Sequence, residues 1–262
     1  MPKFITNTIS INYSIYGTGI PVILLHGAIV DFNYNYIQTG WIKSLSKNGF
    51  QVIGIDFRGY GESDKSSDPN FYGTTNFAND VINLIDHLNL ENVGLIGYSM
   101  GTVIALDLLS NHPEYFSKSV LIATGDGLIG NPPFIFETLL PGLADLLSHE
   151  TFPIHLPNHI SAYWNLFKQI GLEKEAMIAF SLAKYRPLTP EKAAEIYTPT
   201  LIISGEKDLV LGTGQKVAQT LPNGLYLEIK EATHFTLATD RETHRSTIKF
   251  LTEDSKQSKW KT

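Results

Sequence analysis

Val93-Gly94-Leu95-Ile96-Gly97-Tyr98-Ser99-Met100-Gly101 is the stretch on which the reading of this chain turns. An apolar, strand-like run leads into a serine with glycine two positions to either side. The residues that follow, Val103, Ile104, Leu106, Leu108 and Leu109, are spaced as in a helix. A sharp strand-to-helix turn puts the serine in a strained backbone conformation. It also brings both glycine positions against neighbouring chain, where a side chain would collide. Such a turn lifts the Ser99 hydroxyl to the end of a strand. The helix start behind it offers unpaired N–H groups and a positive dipole end to a developing oxyanion.

Working outward, the chain opens as two antiparallel strands, 3–6 and 9–16. The second alternates Ile9, Ile11, Tyr13 and Ile15 with Ser10, Asn12 and Ser14. Short continuous apolar runs then recur at 21–25, 51–55, 93–96, 119–123, 200–203 and 225–229, each closed by a Gly-rich or polar turn. Runs without alternation are typical of strands covered on both faces. Helical patterns lie between them, as at 77–88, where Phe77, Val81, Leu84, Ile85 and Leu88 share a face, and at 99–110. Strands alternating with helices give a doubly wound α/β fold, a mostly parallel sheet flanked by helices. Ligand sites in such sheets lie beyond the carboxyl ends of the strands. Between Thr124 and Tyr197 the rhythm breaks: no strand run occurs, and aromatic and aliphatic residues come in short helical groups broken by Pro and Gly.

A free serine is a poor nucleophile and needs a base. Of the eight histidines, His87 and His244 fall inside helical patterns, and His112 ends the helix that Ser99 opens. His155 and His159 are separated by Pro157, which argues against one helix presenting both to a metal, and no HExxH spacing occurs. His234 stands apart, in Glu231-Ala232-Thr233-His234-Phe235, the turn after the last strand on the catalytic side of the sheet.

The acid that orients the base is expected between nucleophile and base in the chain, after a strand. Asp208, in Ser204-Gly205-Glu206-Lys207-Asp208, meets this condition. Asp126, in Thr124-Gly125-Asp126 after the preceding strand, is the alternative acid, and Glu206 is read as a solvated turn residue. The oxyanion donors are expected from the N–H of Ala28, after Leu24-Leu25-His26-Gly27, and the N–H of Met100. His26 itself is read as holding that loop by hydrogen bonds.

Composition limits the partners. The 262 residues carry a net charge of −6 with charges of both signs interspersed, so no basic stripe faces a nucleic acid. There are no cysteines, which excludes disulfides and thiolate chemistry and accords with a reducing cytoplasm. No signal-peptide pattern opens the chain, and no apolar run approaches the roughly 18 residues that span a bilayer. The expectation is a cytoplasmic protein acting on a small-molecule substrate, with no cofactor, no metal, no nucleic acid and no membrane among its partners.

The order of motifs, His26-Gly27-Ala28, Asp56-Phe57-Arg58-Gly59-Tyr60-Gly61-Glu62-Ser63-Asp64, Gly97-Tyr98-Ser99-Met100-Gly101, Gly205-Glu206-Lys207-Asp208 and His234, resembles the α/β-hydrolase family. It looks most like the capped, serine esterase-like branch. The resemblance covers residues 3–250 and implies an eight-stranded sheet with a helical cap inserted after strand 6. Residues 1–124 and 197–262 then form the core and 125–196 the cap. The 56–64 stretch resembles a family loop that supports the architecture, and no catalytic residue is assigned there. Epoxide hydrolases and haloalkane dehalogenases of this family carry Asp at the nucleophile position, where this chain has Ser99, and the run of glycines of the HGGG-type lipases is absent after Gly27.

These residues together predict a serine hydrolase in which Ser99, Asp208 and His234 cleave a carboxylic ester of a small, largely apolar substrate through an acyl-enzyme. C–C bond, lactone or amide hydrolysis on the same triad is the alternative within enzymes. A ligand-binding or sensory protein on this scaffold is the alternative outside them.

Overall fold

The computed structural model describes residues 2–129, 140–149, 167, 169–186 and 188–253. Eight strands form one sheet: β1 (Lys3–Thr6), β2 (Ile9–Tyr16), β3 (Ile20–Leu25), β4 (Phe50–Ile55), β5 (Val93–Tyr98), β6 (Phe116–Ile122), β7 (Thr200–Gly205) and β8 (Gly224–Ile229). Their spatial order is β1-β2-β4-β3-β5-β6-β7-β8. Only β2 pairs antiparallel, with β1 on one side and β4 on the other. From β4 to β8 every pairing is parallel.

The unalternated apolar runs follow from this position. On β3, Val22 and Leu24 join the core on one face of the sheet, and Ile23 and Leu25 join the core on the other. One face is covered by α2 (Thr74–His87) and α3 (Met100–Asn111), which bring Phe77, Val81, Leu84, Ile104 and Leu108. The other is covered by α1 (Trp41–Ser46) and α8 (Arg241–Thr252), which bring Trp41, Leu45 and Phe250. Burying the larger of these side chains stabilises the fold by about 1.5–3 kcal/mol each.

The alternation read in β2 does not translate into an inner and an outer face. Ile15 is exposed, whereas Asn12 and Ser14 are buried. The polar side chain is tolerated because Asn12 Nδ2 donates to Asp56 Oδ2 at 2.7 Å, and the Asn12 N–H donates to Ser63 Oγ at 2.9 Å. The 56–64 loop thus closes over β2.

Between β6 and β7 the described residues include the helices α4 (Leu140–Ser148), α5 (Lys174–Ser181) and α6 (Pro190–Ala193) and no strand. Among the described residues a β-bridge from Ile129 to Leu188 draws the two arms of the insertion together. Helix α7 (Gln215–Thr220) precedes β8. Met177 and Phe180 of α5 are buried in the main core, and Phe180 meets Tyr60, Tyr72 and Phe77 edge-on at centroid distances of 5.7, 6.3 and 6.1 Å. These two residues of the insertion therefore anchor it to the body of the protein. Phe134, Phe136, Phe152, Tyr163 and Trp164, among the aromatic residues of the stretch between Thr124 and Tyr197, lie outside the described residues.

Candidate active site

Ser99 sits at the turn from β5 into α3 with φ 52° and ψ −113°, a left-handed conformation that a serine adopts only when its surroundings impose it. Two glycines make room for it. A Cβ on Gly97 would lie 2.6 Å from the Gly101 carbonyl oxygen, and one on Gly101 would lie 2.2 Å from the Leu25 carbonyl oxygen. The Ser99 N–H is held by the Ile122 carbonyl at 2.9 Å, and its carbonyl accepts from the Thr102 N–H at 2.9 Å. The strain is thereby fixed from both sides.

Ser99 Oγ lies 2.9 Å from His234 Nε2, and His234 Nδ1 lies 2.8 Å from Asp208 Oδ2. Both His234 and Asp208 are buried. Asp208 comes from the turn after β7 and His234 from the turn after β8. These turns are stitched by the Lys207 N–H donating to the Ala232 carbonyl at 2.8 Å. A Cβ on Gly205 would lie 2.4 Å from that same carbonyl oxygen. Burial works to raise the Asp208 carboxyl. The hydrogen bond and charge of His234, with N–H donation from Leu211 and Val210, outweigh it and hold the carboxyl below its ordinary range. An ionised carboxylate only accepts, so Nδ1 carries the imidazole hydrogen and Nε2 presents a lone pair to the Ser99 hydroxyl.

Asp126, the alternative acid, is elsewhere. Its Oδ1 accepts the N–H groups of Lys216 and Val217 at 2.8 and 3.4 Å, and its Oδ2 accepts from Thr213 Oγ1 at 3.0 Å. It caps the first turn of α7 from outside the helix, which is why a carboxylate follows β6 at this point. Glu206 lies in an exposed network, accepting from Lys230 Nζ at 3.1 Å and from the Glu231 N–H at 2.9 Å.

Ala28 follows β3, and Met100 is the first residue of α3. Among the described residues neither N–H has a hydrogen-bond acceptor. The loop bearing Ala28 is fixed by His26. Its Nε2 accepts the Phe57 N–H at 3.1 Å, so its Nδ1 carries the hydrogen and donates to the Gly27 carbonyl at 2.8 Å. That carbonyl belongs to the same planar peptide unit as the Ala28 N–H and points the opposite way, so the bond fixes the direction of the N–H. Burial holds the His26 imidazole below its ordinary range, against the raising influence of Asp56, the Gly27 carbonyl and Asp31, which keeps it neutral for both bonds. Phe57 belongs to the 56–64 stretch, whose other members also brace loops. Arg58 pairs with Asp80 through Nε to Oδ2 and Nη2 to Oδ1, both at 2.7 Å and both buried.

Two contributors carry no signal in a motif. Asn35, buried in the turn Asn33–Ile37, accepts the Gly27 N–H on Oδ1 at 2.8 Å. Tyr98 donates its hydroxyl to the His234 carbonyl. A phenol tip in a fully apolar strand beside Ser99 was the one available hint, because a buried hydroxyl needs a partner. His112 ends α3 as read, His87 stacks on Phe4, and His244 packs on Trp41, with Ser44 Oγ at 3.0 Å from its Nδ1. Among the described residues no group of three His, Asp or Glu side chains is arranged to hold a metal ion. No helix among them is long and apolar enough to cross a membrane.

The family model for the alpha/beta hydrolase fold matches residues 20–153. The chain is 29% identical over 208 residues to "Uncharacterized hydrolase YugF" of Bacillus subtilis (strain 168), covering 72% of this chain and 76% of that protein. Among solved structures it superposes on MGS-M2, an alpha/beta hydrolase enzyme from a Medee basin deep-sea metagenome library. The TM-score is 0.80 at 19% identity, over 98% of this chain and 100% of that one. The esterase EaEST of Exiguobacterium antarcticum superposes with a TM-score of 0.73 at 24% identity, over 94% and 96% of the two chains. At these identities the superpositions speak for the fold. The sheet order, the strained serine turn and the sequence match agree: the chain belongs to the α/β-hydrolase family.

Proposed function

We propose that this protein is a serine hydrolase that cleaves a carboxylic ester of a small, largely apolar substrate. The observation that carries this reading is the unbroken line from Asp208 Oδ2 through His234 to Ser99 Oγ, with contacts of 2.8 and 2.9 Å. Ser99 Oγ attacks the ester carbonyl as its proton passes to His234 Nε2, while Asp208 stabilises the imidazolium. The carbonyl oxygen becomes an oxyanion that accepts from the Ala28 and Met100 N–H groups, each donor supplying about 10²–10³ in turnover. The tetrahedral centre collapses, breaking the bond to the alcohol oxygen, which leaves with the proton from Nε2. Water then enters, gives its proton to Nε2, and attacks the acyl-enzyme. Collapse releases the acid and returns the proton to Ser99 Oγ.

We also read 125–196 as the cap of the capped, esterase-like branch, with 1–124 and 197–262 as the core. What supports this is the helical character of the described residues between β6 and β7 and the anchoring of α5 by Phe180.

Ser99→Ala is the test. Wild type is expected to cleave p-nitrophenyl butyrate and to be labelled by a fluorophosphonate probe, and the variant to keep its fold while losing both. Undiminished cleavage by the variant overturns the mechanism. Folded wild type that the probe leaves unlabelled favours a binding protein instead. An acyl-chain series, run beside lactone, amide and 1,3-diketone panels, sorts the bond type.

A further inference from the structure

Tyr98 stands one peptide from Ser99 at the end of β5, and its side chain crosses to a different loop. Its hydroxyl donates to the backbone carbonyl of His234 at 2.5 Å, and its ring meets the His234 ring edge-on at a centroid distance of 6.2 Å. The residue is only 6% exposed and lies in the core formed with Ala232, Leu237 and Ala238, the residues flanking His234 in its turn. A phenylalanine would fill this apolar space as well. The hydroxyl is what the packing does not explain, and it holds the carbonyl of the residue whose ring must meet Ser99.

The rest of the turn is fixed at other points. Ala232 is held through its carbonyl by Lys207, and the Thr233 carbonyl accepts from the Leu237 N–H at 3.3 Å. Trp41 Nε1 donates to the Ala238 carbonyl at 2.9 Å. Tyr98 is the donor that acts on His234 itself. It does so from the strand that ends in Ser99, so the bond ties the two reacting side chains to one rigid element.

We propose that Tyr98 is a positioning residue. Its hydroxyl sets the main-chain position of His234 and thereby seats Nε2 against Ser99 Oγ and Nδ1 against Asp208. The inference rests on the serine-hydrolase reading above, and the test separates the two. In Tyr98→Phe the ring and its packing remain while the bond to the His234 carbonyl is lost. Misplacing a base by a fraction of an ångström slows chemistry without altering how substrate is held, so kcat is expected to fall about tenfold with KM unchanged. Trp41→Phe removes a hydrogen bond to the same turn away from His234. It is expected to lower Tm while kcat stays within about twofold of wild type, because that bond lies outside the line of reacting groups.

The decisive measurement is a double-mutant cycle with His234→Ala on p-nitrophenyl butyrate. If Tyr98 acts through His234, Tyr98→Phe costs nothing further in the His234→Ala background. Three outcomes overturn the proposal while Ser99→Ala remains inactive: Tyr98→Phe at wild-type kcat, an equal loss of kcat in both backgrounds, or the same loss of kcat in Trp41→Phe. If Ser99→Ala retains activity, it is the hydrolase reading that fails. Should Tyr98→Phe not fold, Tyr98→His, which can offer an N–H near the same carbonyl, is expected to recover more kcat than Tyr98→Leu; equal kcat for the two also overturns the proposal.

Discussion

Replacing Asp208 by Asn separates the orientation of the base from the stability of the fold. The carboxylate receives three donors: His234 Nδ1 at 2.8 Å on Oδ2, and the N–H groups of Val210 and Leu211 at 2.9 and 3.0 Å on Oδ1. Asparagine keeps an oxygen for the two backbone N–H groups, so the turn survives, and its NH₂ then faces His234 Nδ1. Two donors cannot share that contact. The imidazole shifts to the tautomer with a bare Nδ1, and Nε2 points a hydrogen at Ser99 Oγ instead of a lone pair. In triads of this geometry the wrong tautomer costs about 10⁴ in kcat, equivalent to about 5 kcal/mol of transition-state stabilisation. The assay is p-nitrophenyl butyrate hydrolysis by wild type, Asp208→Asn and Asp126→Asn, with circular dichroism to check the fold. Asp126→Asn retains an acceptor for the Lys216 N–H and is expected within about twofold of wild type, as for a substitution outside the reacting groups. A second readout comes from acid unfolding. A carboxyl held below its ordinary value contributes stability that is present above about pH 3.9 and lost as pH falls through its folded value. Asp208→Asn therefore flattens the acid-side loss of stability. The reasoning is refuted if Asp208→Asn turns over within tenfold of wild type, or if Asp126→Asn loses as much as Asp208→Asn.

Two further substitutions test the framework. Asp80→Ala leaves the Arg58 guanidinium buried without its carboxylate and is expected to lower urea-unfolding stability by about 3–5 kcal/mol; a loss below about 1 kcal/mol contradicts the assignment. Gly101→Ala drives a methyl to 2.2 Å from the Leu25 carbonyl oxygen. It is expected to abolish soluble expression or lower Tm by more than about 10 °C, and wild-type stability in this variant would contradict the geometry of the turn.

The sheet was largely legible because its central strands are covered on both faces, which writes them as apolar runs. Expected bounds 3–6 and 9–16 coincide with β1 and β2. The start of β6 was missed by three residues, because Ser117 and Lys118 are polar there. Lys118 is in the sheet for a reason remote in sequence: its Nζ donates to the Phe250 carbonyl at 2.9 Å, at the end of α8. The turn Asn33–Ile37 and the helix Trp41–Ser46 also went unread. Their burial depends on contacts with α8 and the Ala238 carbonyl that no local periodicity encodes. At the candidate site, the three side chains that meet, Ser99, His234 and Asp208, were legible through spacing from strand ends. Choosing between Asp208 and Asp126 by sequence was a matter of neighbouring turns, and the physical difference is that Asp126 is occupied by a helix start. Asn35 and Tyr98 act on backbone groups, and a backbone group leaves no mark in the side-chain sequence.

The site straddles two regions of unequal durability. Ser99 rises from a strand flanked by β3 and β6 deep within the sheet, whereas Asp208 and His234 hang from β7 and β8, and β8 is the half-buried outermost strand. Native proteins fray first where fewest apolar contacts are at stake. Transient peeling of that margin would carry Asp208 and His234 away together while the serine turn stays intact, so on the proposed mechanism any activity would be lost on warming with the cohesion of the periphery, well before the hydrophobic interior comes apart.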